Sequence, residues 1–304
     1  MVGSAPIVIV ANPTAGRGKA GRLIGAADSI LRDLRIEHEI EVTGSPDEME
    51  RTCRTAAERG AEVVAVIGGD GTVSCAANGL VGTEAALGVI PAGTGDDFAK
   101  TIGAGAFRPA VRLLANPKLE RVDVVRVHAG PAERYFVNIA GAGFDSEVNE
   151  TANAMTVSLG GTVTYVAALV KTLSRFAPAR YELTVDGAAL SLDAMLVVVG
   201  SGIAFGGGMR VLPDASIVDG LMDVCIVGAL SKAAFLMAFP KVFAGRHTSH
   251  PKVRMLRATS VSVEANRAMQ VYADGERIGP LPARFEMMAR ALPVVVGPDA
   301  KGVR

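Results

Sequence analysis

A chain of 304 residues is long enough for one large or two medium domains, each with its own core. Lysine plus arginine and aspartate plus glutamate both number 31, so the formal net charge is zero and the basic footprint of a nucleic-acid binder is missing. Hydrophobic residues make up 49% and the mean hydropathy is +0.33, yet aromatics are only 5% and tryptophan is absent, so the core must be aliphatic. No apolar run reaches the roughly 18 residues that span a bilayer. Asn12-Pro13 cuts the first apolar run short, against a secretory leader. Cys53, Cys75 and Cys225 lack the paired spacing of a disulfide framework or a metal cluster. A cytoplasmic protein with some attraction to apolar ligands or membrane surfaces is expected.

Strand and helix alternate through the first third. "PIVIV" predicts a buried strand, and Gly18 to Leu34 carries Leu23, Ile24, Ala27, Ile30, Leu31 and Leu34 at helical spacing. "IEHEIEV" alternates, with Ile36, His38, Ile40 and Val42 on one face. Pro46 opens a helix to about Arg59. "EVVAVIGG" is a buried strand, Thr72 to Leu80 a helix and "ALGVIPAG" a further strand. This pitch implies right-handed βαβ units and a mostly parallel sheet.

From about Leu119 the pattern changes. "RVDVVRVH", "RYFVNIA", "YELTVDG", "AMLVVVG", "LMDVCIVG" and "SVSVEA" predict strands, most close enough to be antiparallel neighbours. Helical patterns interrupt at Gly161–Phe176 and Ser231–Ala244. The expected organisation is an α/β domain over residues 1–118, completed by residues 290–304, and a larger β-rich, sandwich-like domain over residues 119–289.

Glycines cluster directly after three strands of the first domain: Asn12-Pro13-Thr14-Ala15-Gly16, Gly68-Gly69-Asp70-Gly71-Thr72, and Pro91-Ala92-Gly93-Thr94-Gly95-Asp96-Asp97. In an open parallel sheet, ligands bind outside the carboxyl ends of the strands. Glycine lets backbone approach a phosphate, and a following helix presents free N–H groups to it. Each cluster alone is an ordinary turn. Together they line one edge, where Asp70 and Asp97 can share a Mg²⁺ beside polyphosphate oxygens and Thr72 and Thr94 can hydrogen-bond those oxygens. Gly16-Arg17-Gly18-Lys19-Ala20-Gly21 spells G-x-G-x-x-G, but four residues separate it from the strand and Pro13 sets a different turn, which weakens a dehydrogenase reading. Gly18 and Gly21 read as helix-entry and packing positions. A Walker A loop fails because Ala20 follows Gly18-Lys19.

"NPTAG", "GGDGTV…NGL" and "PAGTGDDFAK", in this order, resemble the catalytic domain of the diacylglycerol kinase family, which includes bacterial soluble lipid kinases and sphingosine kinases, with NAD kinases as more distant relatives. "NIAGAGFDSEV", "GTVTYVAAL", "FGGGMRVLPDASIVDGLMDVCIV", "GRHTSHPKV" and "VYADGE" extend the resemblance over nearly the whole chain. It implies a nucleotide-binding α/β domain, a β-sandwich-like second domain, and ATP as phosphoryl donor. It implies that Asn12, Pro13, Thr14, Ala15, Gly16, Thr43, Gly69, Asp70, Gly71, Thr72, Val73, Ser74, Cys75, Gly93 and Thr94 line the nucleotide, with Asp70 and Asp97 in the metal–water network. Asp219, with the carbonyls of Ser216 and Leu221, would bind a structural Mg²⁺. Glu276 would be the general base and Asp274 its neighbour in the site. Asp219-Gly220 and Asp274-Gly275 also read simply as hairpin turns. Ser74-Cys75 and Asp96 depart from the Asn-Glu and Asn usual in the family, and Asp96 adds negative charge beside the triphosphate.

The expected function is an ATP-dependent lipid kinase, with diacylglycerol the best single acceptor. An NAD kinase-like enzyme and a nucleotide-binding regulatory module remain the alternatives. Partners would be a membrane lipid and, transiently, an anionic membrane surface; the reading leaves room for a homodimer and excludes nucleic acid. Val163, Tyr165, Val166, Leu169, Val170 and Leu173 in one helix, and Phe235, Leu236, Met237, Phe239, Val242 and Phe243 in another, are candidates for membrane contact or for core. Arg246, His247, His250, Lys252, Arg254 and Arg257 follow the second helix.

Overall fold

The computed structural model describes residues 6–155 and 161–301. The chain groups into two compact units: residues 1–124, 216–220 and 288–304, and residues 125–215 and 221–287.

The first unit is α/β. Its elements are β1 (Ile7–Ala11), α1 (Lys19–Asp33), β2 (His38–Val42), α2 (Pro46–Glu58), β3 (Val63–Gly68), α3 (Asp70–Leu80), β4 (Ala86–Pro91), α4 (Asp97–Thr101), α5 (Phe107–Leu113) and the start of β5 (Lys118–Ala129). Strands β2, β1, β3 and β4 pair in that order, all parallel. β3 and β4 are buried along their whole length, as expected of parallel strands covered on both faces. Ala20, Ala27 and Leu31 of α1 join Val111 of α5 and Ile9, Ala65, Ile67 and Ile90 of the strands in one aliphatic core. Ser45 caps α2 by accepting the Glu48 N–H at 3.2 Å, with Pro46 in the first turn. Gly79 of α3 lies so close to α2 that a Cβ there would sit 2.5 Å from the Glu50 carbonyl oxygen. Because β2 is an edge strand, its alternation weakens at the end, and Val42 is exposed.

The second unit is antiparallel and β-rich. It contains β6 (Ala132–Phe136), β7 (Ile139–Gly143), α6 (Phe144–Asn153), α7 (Gly161–Arg175), β8 (Ala179–Val185), β9 (Ala188–Gly200), β10 (Met222–Gly228), α8 (Lys232–Ala238), 3₁₀ turns at Phe239–Ala244 and Arg246–Ser249, β11 (Val253–Ala258), β12 (Ser260–Ala265), β13 (Gln270–Ala273), β14 (Glu276–Pro280) and the first part of β15 (Ala283–Val296). β9 pairs with β7, β8 and β10, and β13 joins β7 to β14. The rest of β15 belongs to the first unit, where Val294 pairs in parallel with Leu87 of β4.

Three local differences from the sequence reading have physical causes. The expected strand "RYFVNIA" is two strands, broken at Val137-Asn138 where a side-chain carboxylate takes up the backbone N–H groups. Helix α6 begins immediately after glycine-rich β7, where glycines obscure the helical pattern. The expected helix over Ser231–Ala244 is α-helical only to Ala238. Pro240 lacks an N–H, and the chain continues as a 3₁₀ turn. Among the described residues, no helix is long and apolar enough to cross a membrane.

Candidate active-site residues

Parallel pairing places the loops after β1, β3 and β4 at one edge of the first unit, and their backbones touch. Gly16 has φ +59°, and a Cβ there would sit 2.3 Å from the Ala92 carbonyl oxygen, so only glycine lets the first loop meet the third. A Cβ on Gly93 would lie 2.8 Å from the Gly69 Cα, which joins the second loop to the third. The first loop is internally built. The Asn12 carboxamide oxygen accepts from the backbone N–H and the hydroxyl of Thr14, at 2.9 and 2.7 Å, and the Ala15 N–H reaches the Asn12 carbonyl at 3.0 Å. Gly21 packs on Pro13, and Gly18, at φ +80°, turns the chain into α1. The Lys19 ammonium contacts the Gly93 carbonyl oxygen at 3.4 Å.

Three carboxylates converge on this edge. Asp70 opens α3 and accepts the Phe98 N–H of α4 at 3.2 Å. Burial pushes its carboxyl above the ordinary range, and neighbouring Asp97 and Asp96 push the same way. Asp96, at φ +49°, accepts the Gly93 N–H at 2.9 Å. Burial raises its carboxyl too, against the Gly93 N–H, Lys19 and Lys100. Asp97 is buried, with the Lys100 ammonium 3.7 Å away.

Other expected residues fall nearby within this unit. Gly71, Thr72 and Thr94 are half-buried or exposed, while Val73, Ser74 and Cys75 are buried on the first turns of α3. Thr43 follows β2, and its backbone N–H reaches Ala11 of β1 at 3.0 Å. Its buried hydroxyl has no hydrogen-bond partner within the protein, as a group that completes its bonding on a ligand would show. This loop set suits a triphosphate: backbone N–H groups, threonine hydroxyls and Lys19. Among the described residues, no three His, Cys, Asp or Glu side chains form a metal-binding group. Asp70 and Asp97 instead suit Mg²⁺, which usually takes one or two protein carboxylates together with phosphate oxygens and water.

Asp219 is exposed in the 216–220 segment, Ser216 is buried, and Leu221 begins the next stretch of the second unit. Asp219-Gly220 is not a hairpin turn. The Gly220 N–H instead donates to the Asp123 carboxylate at 2.7 Å. Asp123, fully buried, also accepts the Arg290 N–H at 2.8 Å and donates its own N–H to Ile217 at 2.7 Å. It thereby holds the segment that carries Asp219. The sequence reading missed it. The signal was an acid inside the apolar run "RVDVVRV".

In the second unit, Asp274 and Gly275 form the turn between β13 and β14, both at positive φ. The Asp274 carboxylate accepts the N–H groups of Val137, Asn138 and Ile139 at 3.0, 3.1 and 3.1 Å. Those bonds break the β6–β7 run and make Asp274 a clamp for the hairpin. Glu276, two residues on, is exposed at the start of β14. Two further polar residues were missed, both inside "NIAGAGFDSEV". Asn138 donates to the Ala204 carbonyl at 2.7 Å, and its own carbonyl accepts from Ser201 and Gly202. Asp145 lies over Gly141, where a Cβ would sit 1.8 Å from its carboxylate. Burial pushes the Asp145 carboxyl up to about 7, and one of its oxygens has no partner in the protein. The signal for both was a polar residue beside glycines that only close packing requires.

Asp145 borders an apolar cavity of the second unit, lined by Phe144, Leu169, Val198, Met209, Phe235 and Phe239 among others. Leu169 and Leu173 of α7 are core residues; the side chains of Val163, Tyr165 and Val166 lie outside the described residues. The cysteines are free and buried, and burial raises the Cys53 and Cys225 thiols to about 12, so neither is a nucleophile at neutral pH.

Residues 6–127 match the family model of the diacylglycerol kinase catalytic domain, and residues 138–296 match that of the YegS C-terminal NAD kinase beta sandwich-like domain. A diacylglycerol kinase of Mycobacterium tuberculosis is 34% identical over 293 residues, covering 95% of this chain and 94% of that protein. A diacylglycerol kinase of Bacillus subtilis is 27% identical, covering 95% of each. The crystal structure of a diacylglycerol kinase from Bacillus anthracis str. Sterne matches the fold with a TM-score of 0.79 at 24% identity, covering 98% of this chain and 99% of that one.

Proposed function

The chain belongs to the diacylglycerol kinase family, a family of phosphotransferases, and on that premise we propose that it is an ATP-dependent lipid kinase that phosphorylates the hydroxyl of a membrane lipid, converting diacylglycerol to phosphatidic acid. The observation that carries the reading is the joined edge of the first unit: three phosphate-type loops in backbone contact, with Asp70 and Asp97 among them.

In this reading the 12–16 loop, Gly69 to Thr72, and Gly93 and Thr94 hold the triphosphate, and Thr43 contributes its hydroxyl. Asp70 and Asp97 would hold the Mg²⁺ that accompanies ATP, and that ion would supply charge neutralisation of the phosphates. Burial raises the Asp70 carboxyl most, and the like charges of Asp97 and Asp96 that add to it are ones a divalent cation would offset. Asp123 positions the 216–220 segment, whose Asp219 and Ser216 carbonyl, with the carbonyl of adjoining Leu221, would hold a structural Mg²⁺. Glu276 takes the acceptor hydroxyl's proton, and Asp274 fixes the hairpin that bears it. Phosphoryl transfer needs mainly alignment and charge neutralisation, so one positioned carboxylate suffices for the proton. The protein works at an anionic membrane surface, where its acceptor resides.

The test is incubation of purified protein with labelled ATP, Mg²⁺ and either diacylglycerol-containing vesicles or NAD. Label in phosphatidic acid supports the proposal. Label in NADP points to the NAD kinase-like alternative, and label in neither points to a binding module.

A further inference from the structure

The cavity of the second unit, about 90 Å³ in volume, is walled mostly by aliphatic and aromatic side chains. Two residues on that wall carry polar atoms without partners. The first is Asp145. Its carboxylate takes up the backbone N–H groups of Ser146 and of Asp145 itself, and Oδ2 lies over Gly141, 1.8 Å from where a Cβ would stand. Oδ1 is 3.3 Å from the same point, turned away from Gly141, and is buried with no partner among the described residues.

The second is His247, which stands in a cation-rich run of the sequence but is buried in the fold. Its Nε2 lies 3.0 Å from the Val211 carbonyl oxygen, which can only accept, so Nε2 carries the ring proton. Burial holds the ring below the ordinary histidine range, hence neutral at pH 7. Nδ1 is therefore a bare lone pair, and it too is buried with no partner among the described residues. His250, also on the wall, is engaged: its Nδ1 accepts the Lys252 N–H at 3.1 Å. Two buried polar atoms without partners at one cavity point to a ligand that pairs them. Water fits poorly. Each molecule needs roughly 10–15 Å³ of such space and two to four polar partners, so the cavity has room for several waters and partners for few. A plain acyl chain fits poorly as well, because its methylenes suit the wall but its ester oxygens only accept. The hydroxyl that receives phosphate does not fill the place either, since neither Asp274 nor Glu276 lines the cavity.

We propose that Asp145 and His247 are specificity-determining residues for an acceptor whose acyl chain bears a hydroxyl group of its own: His247 Nδ1 accepts from that hydroxyl, and the Asp145 carboxyl completes the polar lining. The inference rests on the lipid kinase reading and narrows its acceptor to a diacylglycerol with a hydroxylated chain. A site built to hydrogen-bond a hydroxyl discriminates strongly against the analogue without it, because the site's own polar atoms then stay unpaired. A wholly apolar pocket distinguishes the two far less.

Transfer from labelled ATP is measured in detergent micelles with a saturated diacylglycerol and with the same lipid carrying a mid-chain hydroxyl on each acyl chain. The expected result is a kcat/KM at least about tenfold higher for the hydroxylated lipid. His247→Leu and Asp145→Leu each erase that ratio, which a loss of folded protein alone does not move. His247→Asn, which puts an oxygen near the Nδ1 position, restores part of it. Equal use of the two lipids by the unaltered protein, or an unchanged ratio in either leucine variant, overturns the proposal. A second measurement needs no turnover. 1-Butanol and diethyl ether are isomers, one able to donate a hydrogen bond and the other only to accept. Added to protein with ¹⁵N-labelled histidine, 1-butanol should move the His247 Nδ1 resonance upfield, as for a lone-pair nitrogen that gains a hydrogen bond, and diethyl ether should not. A resonance that ignores 1-butanol, or answers both alike, overturns the site. If neither lipid is labelled, the lipid kinase reading fails, while the histidine resonance still decides whether the cavity binds a hydroxyl.

Discussion

The Asp70 carboxylate accepts the Phe98 backbone N–H at 3.2 Å, so the residue that opens α3 also holds the first turn of α4. Asp70→Asn keeps an acceptor for that N–H and removes only the charge. Transfer is expected to fall at least about 100-fold, as for loss of a metal-holding carboxylate. The folded state has no comparable loss, because burial and two neighbouring acids already disfavour the ionised form. A phosphate-transfer assay beside a thermal melt checks both halves; a large fall in melting temperature would refute the assignment.

Gly16 faces Ala92 with no space for a Cβ and sits at φ +59°. Gly16→Ala should cost about 1–3 kcal/mol of stability from strain and displaced backbone. It should also weaken ATP binding, since the first loop can no longer rest on the third. Calorimetric titration with ATP gives the second effect. Unchanged affinity would remove the 12–16 loop from the nucleotide site.

Asp274 and Glu276 should part in their effects. Asp274→Ala leaves three buried backbone N–H groups without their carboxylate and should destabilise by at least about 2 kcal/mol. Glu276 is exposed, so Glu276→Gln should leave urea unfolding unchanged while lowering the transfer rate about 100-fold or more. A Glu276→Gln protein with most of its activity would show that another group takes the proton.

Asp145 predicts a pH dependence. Burial raises its carboxyl from 3.8 to about 7, so the folded state favours the protonated form. Below the unfolded value the group contributes no penalty. As pH rises from about 4 to about 7 stability falls, by up to about 1.4 kcal/mol per unit, and above that range the penalty is constant. Asp145→Asn should therefore gain stability over the unaltered protein as pH rises from 5 to 8. Urea unfolding of both at each pH supplies the comparison, and parallel curves would contradict it.

The α/β character of the first unit was legible because β3 and β4 are continuous apolar runs ending in glycine, a pattern that parallel burial demands. The three loops were legible for the same reason, since each lies where such a run stops. The clamps were not. Asp123 and Asn138 are single polar residues in apolar or glycine-rich surroundings, and their partners lie far along the chain. Asp123 meets Gly220 and Arg290; Asp274 meets Val137 to Ile139. Periodicity reports which face of an element is buried, and carries no information about which distant backbone group a buried carboxylate will satisfy.

By itself the sequence determined the alternation of strand and helix, the aliphatic core and the glycine-and-aspartate loops, because these follow from local apolar periodicity and from the few residues able to turn tightly beside a phosphate. Only the tertiary structure decided that Gly16 must meet Ala92, that Asp274 is spent on three backbone N–H groups, and that Asp145 and His247 line one apolar cavity. Those outcomes depend on close approach between segments remote in sequence, where excluded volume and the need to pair every buried polar group choose among arrangements that local patterning leaves equal.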